Sequence, residues 1–271
     1  MPPTVLITGA SQGTGRATAH LFAQRGYNLV LAARQAERLE AIAQEINQTG
    51  CQALAVPTDV ADAGAVAQLA HQALDRFGSV DVLVNNAGIC LTGTMEHTSL
   101  EDWQQILNTN LWGYIHTIHA LLPQFIERQQ GAIVNVGSFG GKMPLTHMTA
   151  YCTSKYAVTG LTDTLRLELA PQGIHVGLVN PGLINSQFLE RAQFRGASTA
   201  AAEQQRQQMA QAMTQGWASR PEDVAQAIWE AATDRKTEVG VGATAIATEA
   251  YRLLPGLVQW GMARLGRPSS T

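Results

Sequence analysis

A chain of 271 residues, 45% apolar and 14% charged, can bury one large core and is too apolar to be disordered. The formal net charge of −3, without any block of Lys or Arg, argues against nucleic acid as the main partner. Three scattered cysteines, Cys51, Cys90 and Cys152, lack the paired spacing of a disulfide framework or a zinc site, so no metal is expected and the thiols read as reduced and cytoplasmic.

The chain opens MPPTVLITGA, with neither the basic nor the apolar region of a signal peptide. No run of about 18 uncharged apolar residues exists to span a membrane, and a soluble protein is expected. The first predicted strand, TVLIT at 4–8, runs directly into TGASQGTG at 8–15. Gly9, Gly13 and Gly15 permit a tight turn and a close backbone approach, and the helix that follows offers free N–H groups at its positive end. That geometry suits a pyrophosphate. The spacing is neither the common G-x-G-x-x-G nor a P-loop, since no G-K-[ST] follows.

Further strands are predicted at 28–33, 51–56, 81–85, 132–136 and 175–180, with amphipathic helices such as 35–49 and 62–77 between them, and Gly50 and Gly78 as helix stops. Continuous apolar strands alternating with helices indicate a doubly wound parallel sheet covered on both faces. No linker or repeat divides the chain, so residues 1–271 are read as one domain. Asp59, closing the third strand, either accepts a hydrogen bond from an adenine amino group or caps the helix that starts near Asp62. NNAG at 85–88 follows the fourth strand at the end where open α/β sheets bind ligands, although asparagines also suit a simple turn.

In AYCTSKY at 150–156, Tyr151 and Lys155 stand four residues apart and share a helix face. A cation beside a phenol favours the phenolate, which is one way to make a tyrosine a general acid or base. Two regions break the α/β rhythm. Residues 183–220 carry a Gln/Ala-rich helical tract, expected at 197–215 as a lid over substrate. Residues 245–267 are apolar, interrupted by Pro255 and Gly256, and too greasy to stand alone in water. The tail is expected to pack on a partner subunit or the lid, with peripheral membrane contact through Arg252 and Arg264 as a further option.

Together these motifs resemble the short-chain dehydrogenase/reductase family over nearly all of residues 4–242, through TGASQGTG, NNAG, the asparagine of LNTNLWG, the serine of VNVGSFGG, YCTSK and NPG. The resemblance implies a single Rossmann-type domain of about seven strands and an NADP(H)-dependent oxidoreductase that interconverts a carbonyl and an alcohol. It implies Tyr151 as general acid, Lys155 on the nicotinamide ribose, Ser138 as a donor to the substrate oxygen and Asn110 holding a water that links Lys155 to solvent. Cofactor contacts are implied for Gly9, Ser11, Gly13, Thr14, Gly15, Asp59, Val60, Asn86, Ala87, Gly88, Tyr151, Lys155, Pro181, Gly182, Ile184 and Ser186. Thr14 stands where an aliphatic residue is more usual, and Ser186 where a threonine is.

Ala33 occupies the place where NAD-preferring folds put a carboxylate, and Arg34 follows it with a guanidinium suited to a 2′-phosphate. Candidate pocket residues Phe139, Met143, His147, Cys152, Leu183 and Phe188 are mostly apolar, which fits a bulky hydrophobic ketone or alcohol. His147, one turn before Tyr151, serves either the substrate or the helix start. A homodimer or homotetramer is expected. A β-ketoacyl-carrier-protein reductase is the alternative, disfavoured because TEVGVG leads into a long apolar tail. A catalytically idle nucleotide sensor would tolerate loss of Ser138, Tyr151 or Lys155, and all three are present. A sugar epimerase would resemble longer chains with another glycine spacing.

Overall fold

In the computed structural model, which describes residues 2–184, 192–214, 218–242 and 244–265, seven strands pair in parallel to form one sheet. They are β1 (Thr4–Thr8), β2 (Asn28–Ala33), β3 (Ala53–Pro57), β4 (Val82–Asn85), β6 (Gly131–Val136), β7 (Ile174–Pro181) and β9 (Glu238–Val241). A separate parallel pair joins β5 (Leu91–Thr92) to β8 (Gln193–Phe194). The described helices are α1 (Gly13–Gln24), α2 (Ala36–Asn47), α3 (Ala63–Phe77), α4 (Leu100–Leu107), α5 (Gly113–Arg128), α6 (Thr149–Leu169), α7 (Thr199–Thr214), α8 (Pro221–Thr233), α9 (Thr244–Leu253) and α10 (Pro255–Leu265).

Side chains alternate across each strand, so a wholly apolar strand feeds two cores at once. Val5 and Ile7 of β1, Leu29 and Leu31 of β2, and Val82 and Val84 of β4 point to one face. There Phe22 of α1, Leu39 and Ile42 of α2, and Val224 and Ile228 of α8 cover them. Leu6, Val30, Leu83 and Ile133 point to the other face, under Leu69 of α3, Leu121 and Phe125 of α5, and Leu165 of α6. This two-sided burial is why the strands read as continuous apolar runs.

The sheet order is β3-β2-β1-β4-β6-β7-β9. The chain builds outward from β1 to β3, then returns to the other side of β1 with β4. That reversal splays the connections apart above the C-terminal ends of β1 and β4 and opens a crevice there. Predicted strand limits agree with the observed ones to within two residues, and Gly78 ends α3 at φ +78° as its stop role requires.

Two features were not anticipated. Between α4 and α5, residues Asn108–Trp112 form a π-helical turn. The β5–β8 pair ties the segment before α7 back onto the molecule. The tail forms α9, which packs near β7, β9 and the turn Phe139–Gly141, and α10, which packs on α9, leaving Leu253, Leu254, Leu257 and Trp260 exposed. None of the described helices is long and apolar enough to cross a membrane.

Candidate active site

The glycine loop is held from below by the end of β4. Thr8 Oγ1 accepts hydrogen bonds from the Asn86 and Ala87 N–H groups, both at 3.0 Å, and Asn86 Nδ2 donates to Thr8 O at 2.9 Å. Gly9 (φ +67°) has no room for a side chain, since a Cβ there would sit 2.9 Å from Ala87 Cα. A Cβ on Gly15 would strike the Gly9 carbonyl oxygen. The loop therefore lies flat and enters α1 with no side-chain cap and no acidic residue in the first turn. Asn86 is thus a brace rather than a turn former. Its neighbour Asn85 is buried and joins Asn135 at 3.0 Å and Thr117 at 2.6 Å, a polar link across β4 and β6.

Above the loop lies a cleft of about 250 Å³. The loop contributes Gly9, Ser11, Thr14 and Gly15, the end of β2 contributes Ala33 and Arg34, and the end of β3 contributes Asp59 and Val60. Asn86, Ala87 and Gly88 come from the end of β4, Tyr151 and Lys155 from α6, and Pro181 and Ile184 from the end of β7. Of the expected cofactor residues, Gly13 and Gly182 are not on its wall. Gly13 (φ +52°) turns the chain into α1, and Gly182 N–H donates to Val241 O at 3.2 Å. Ser186 and Phe188 lie outside the described residues.

The two roles offered for Asp59 also separate. Asp62 is the cap of α3, accepting from the N–H groups of Gly64 and Ala65 at 2.8 and 3.1 Å, while Asp59 faces the cleft and accepts from Ala61 N–H at 3.0 Å. Gln12, Gln35, Thr58, Ile89 and Thr109 line the cleft without having been foreseen. Only their places beside recognised motif residues signalled them. A flat glycine-lined floor and a buried Gln12 amide nitrogen without a partner fit a phosphate-bearing dinucleotide.

At the inner end, Ser138, Tyr151 and Lys155 come together and all are buried. Ser138 leaves β6 as the cap of the turn Phe139–Gly141, its Oγ accepting Gly140 N–H at 3.1 Å, and its hydroxyl is near enough to act on the Tyr151 phenol. Burial raises the Tyr151 pKa, the nearby Cys90 thiol adds to that, and the Ser138 hydroxyl opposes it. Lys155 Nζ donates to Val136 O at 2.9 Å and sits 5.4 Å from the centre of the Tyr114 ring. Burial lowers the Lys155 pKa to about 8. The expectation that Lys155 lowers the tyrosine pKa is therefore not met by the protein's own groups. The ammonium is aimed at a strand-end carbonyl, and desolvation outweighs the other effects on the phenol.

Asn110, expected to hold a water, is itself fixed by its neighbours. It lies on the π-helical turn, buried, where its Nδ2 donates to Ile89 O at 3.0 Å and Ser154 Oγ at 3.1 Å while its Oδ1 accepts Ile89 N–H at 2.9 Å. Both amide protons are spent on the protein. The side chain braces the β4 exit against α6.

Beyond Tyr151 the lining changes to sulfur and aliphatic groups: Cys90, Met148, Tyr151 and Cys152 cluster with Leu145, Ala192 and Met209. Of the expected pocket residues that the structure describes, only Cys152 belongs to this cluster. His147 is exposed, precedes α6 in a left-handed conformation (φ +63°), and spends its carbonyl on Gly93 N–H at 2.6 Å. It therefore neither starts the helix nor faces the cleft. Met143 is buried, and Phe139 and Leu183 are half-buried, but none of the three lines the cleft. Met209 brings α7 over the cluster, as a cover for substrate would require. Arg195 fastens this segment through Asp102, with Nη2–Oδ1 and Nε–Oδ2 at 2.7 and 3.0 Å.

The profile of the short chain dehydrogenase family matches residues 3–196. Over 188 residues the chain is 39% identical to the Bos taurus dehydrogenase/reductase SDR family member 7B, a match covering 67% of this chain and 58% of that protein. It is 37% identical over 187 residues to a 3-oxoacyl-[acyl-carrier-protein] reductase of Staphylococcus epidermidis, covering 69% of this chain and 77% of the other. A short-chain dehydrogenase/reductase of Burkholderia phymatum, solved in complex with NAD, superposes with a TM-score of 0.83 at 27% identity, over 100% of this chain and 97% of that one.

Proposed function

This chain belongs to the short chain dehydrogenase family, and from that premise we propose that it is an NADPH-dependent reductase of a bulky apolar ketone or aldehyde. The observation that carries the reading is Tyr151 and Lys155 together on the wall of a glycine-floored cleft, with the Ser138 hydroxyl beside Tyr151. A nicotinamide dinucleotide bound there supplies the hydride and takes it back in the reverse direction.

The remaining duties fall to side chains. Tyr151 holds a proton that its buried setting keeps on the phenol, ready for the carbonyl oxygen. Ser138 offers its hydroxyl to the same oxygen, a hydrogen bond that gains strength as negative charge develops. Lys155 is fixed by Val136 O on one side and stays within the cleft wall, where it can reach ribose hydroxyls. The glycine loop and the uncapped start of α1 take the pyrophosphate. At the adenosine end Arg34 lines the cleft and Ala33 brings no carboxylate, which favours the 2′-phosphate of NADPH.

The apolar, sulfur-rich surroundings of Tyr151 support a hydrophobic substrate. A second reading, reduction of a 3-oxoacyl thioester, is favoured by the likeness to the staphylococcal reductase. One experiment tests both: nicotinamide absorbance followed with NADPH and NADH over a panel of aromatic and alicyclic ketones, aldehydes and 3-oxoacyl thioesters. NADPH oxidation on the bulky ketones is expected. Turnover confined to the thioesters would replace the first reading with the second, and no turnover on any carbonyl would refute both.

A further inference from the structure

Gln12 stands between the glycine loop and α1, 7% exposed, on the wall of the cleft. Its Oε1 accepts a hydrogen bond of 2.7 Å from Arg38 Nη1, which reaches across from α2. Its Nε2 is buried and has no hydrogen-bond partner. The two ends of a carboxamide are told apart only by their partners, and here the partner decides. A guanidinium carries donors and no acceptor, so turning the amide over would set N–H against N–H. Arg38 therefore fixes the oxygen towards itself and the two amide protons away. Gln12 itself begins the uncapped α1, and it shares the cleft wall with Arg34. Two free amide protons on a cleft wall suit an anionic acceptor.

We propose that Gln12 donates to a phosphate oxygen of the bound dinucleotide, and that Arg38 is the positioning residue that turns the amide to do so. The inference rests on the nicotinamide dinucleotide reading. It adds a recognition element that is neutral in charge and set by a contact between residues 26 positions apart. Adenosine 2′-phosphate and pyrophosphate oxygens share the required chemistry, and truncated ligands distinguish them.

Dissociation constants of the full chain for 2′,5′-ADP, 5′-ADP, NADPH and NADH, measured by calorimetry, decide the matter. Gln12→Met should weaken phosphate-bearing ligands roughly tenfold, the loss of a hydrogen bond to a charged group. Gln12→Glu, which keeps the shape and the Arg38 contact, should weaken them at least as much, because it turns an oxygen towards the phosphate. Arg38→Met should match Gln12→Met, Arg38→Lys should recover most of the affinity, and the double Met variant should be no weaker than Gln12→Met alone. A loss seen with 2′,5′-ADP but not 5′-ADP places the contact on the 2′-phosphate, and a loss on both places it on the pyrophosphate side. Unchanged affinities in both Gln12 variants would overturn the proposal. So would a further loss on adding Arg38→Met to Gln12→Met, which would make Arg38 a direct ligand. If the wild type prefers NADH, the NADPH reading fails while the 5′-ADP and NADH arms still test the amide.

Discussion

At the residue scale, the reactive groups are governed by burial. Tyr151→Phe keeps the ring that packs against Cys90, Cys152 and Met148 and removes only the hydroxyl. Its melting temperature and NADPH affinity should match wild type while kcat falls by about 10²–10⁴, the usual worth of a positioned acid. Residual kcat within tenfold of wild type would dismiss Tyr151 as the acid. Because burial raises its pKa, the phenol keeps its proton across neutral pH. Carbonyl reduction should stay level there while alcohol oxidation, which needs the phenolate as base, climbs with pH.

Lys155 shows the opposite shift. Its folded pKa of about 8 lies below the ordinary lysine value of 10.5, so between those limits the unfolded chain binds more protons. Stability from this group is then lowest below pH 8 and rises with pH through that window, a span on the order of 3 kcal/mol. Lys155→Met should abolish turnover, unfold at higher urea than wild type at pH 7, and lose that advantage by pH 10. Val136 O keeps its bond from the Tyr114 hydroxyl at 2.9 Å in the variant. A constant gap in midpoint between pH 7 and pH 10 would refute this account. For cofactor choice, Arg34→Ala should weaken NADPH about ten- to a hundredfold with little effect on NADH, and Ala33→Asp should move preference to NADH. The kcat/KM ratio for the two cofactors is the measure.

At the element scale, an ion pair reinforces the β5–β8 pairing that holds the segment before α7. Asp102 is nearly buried and Arg195 is 38% exposed, so the pair is worth about 1–2 kcal/mol rather than the 3–5 of a fully buried one. Arg195→Leu removes the tie, while Asp102 keeps its capping-box bonds with Ser99 at 3.2 Å. Amide exchange over 193–210 should quicken by roughly tenfold, with β1 and β4 unchanged, because only the segment that opens locally loses its anchor. KM for substrate should rise more than kcat falls. Exchange that quickens equally in β1 would show the pair holding the whole fold instead.

At the scale of the whole molecule, the exposed Leu253, Leu254, Leu257 and Trp260 give the body an apolar appendage. Exposed apolar area of this kind calls for a cover. Deleting residues 250–271 should alter the mass measured by light scattering or the range of ketones accepted. A truncated protein of unchanged mass and kinetics would show the tail to be idle. Neither the glycine loop nor the Ser138–Tyr151 contact includes the deleted residues, so cofactor affinity should survive the cut.

What the sequence determined by itself was whatever local rules govern. Continuous apolar runs foretold the parallel strands, since both faces of β1, β2 and β4 are buried. Glycines at 9 and 13 foretold the left-handed turn, and the four-residue interval from Tyr151 to Lys155 placed both on one side of α6. Tertiary structure decided what each side chain faces. Cys90 and burial set the phenol's proton affinity, Ile89 and Ser154 absorbed the Asn110 amide, and the strand-end Val136 carbonyl took the lysine. The β5–β8 pair and the Arg195–Asp102 contact join residues about a hundred positions apart. Periodicity and spacing report on neighbours along the chain. Desolvation and hydrogen-bond partners come from elements brought together only when the sheet closes.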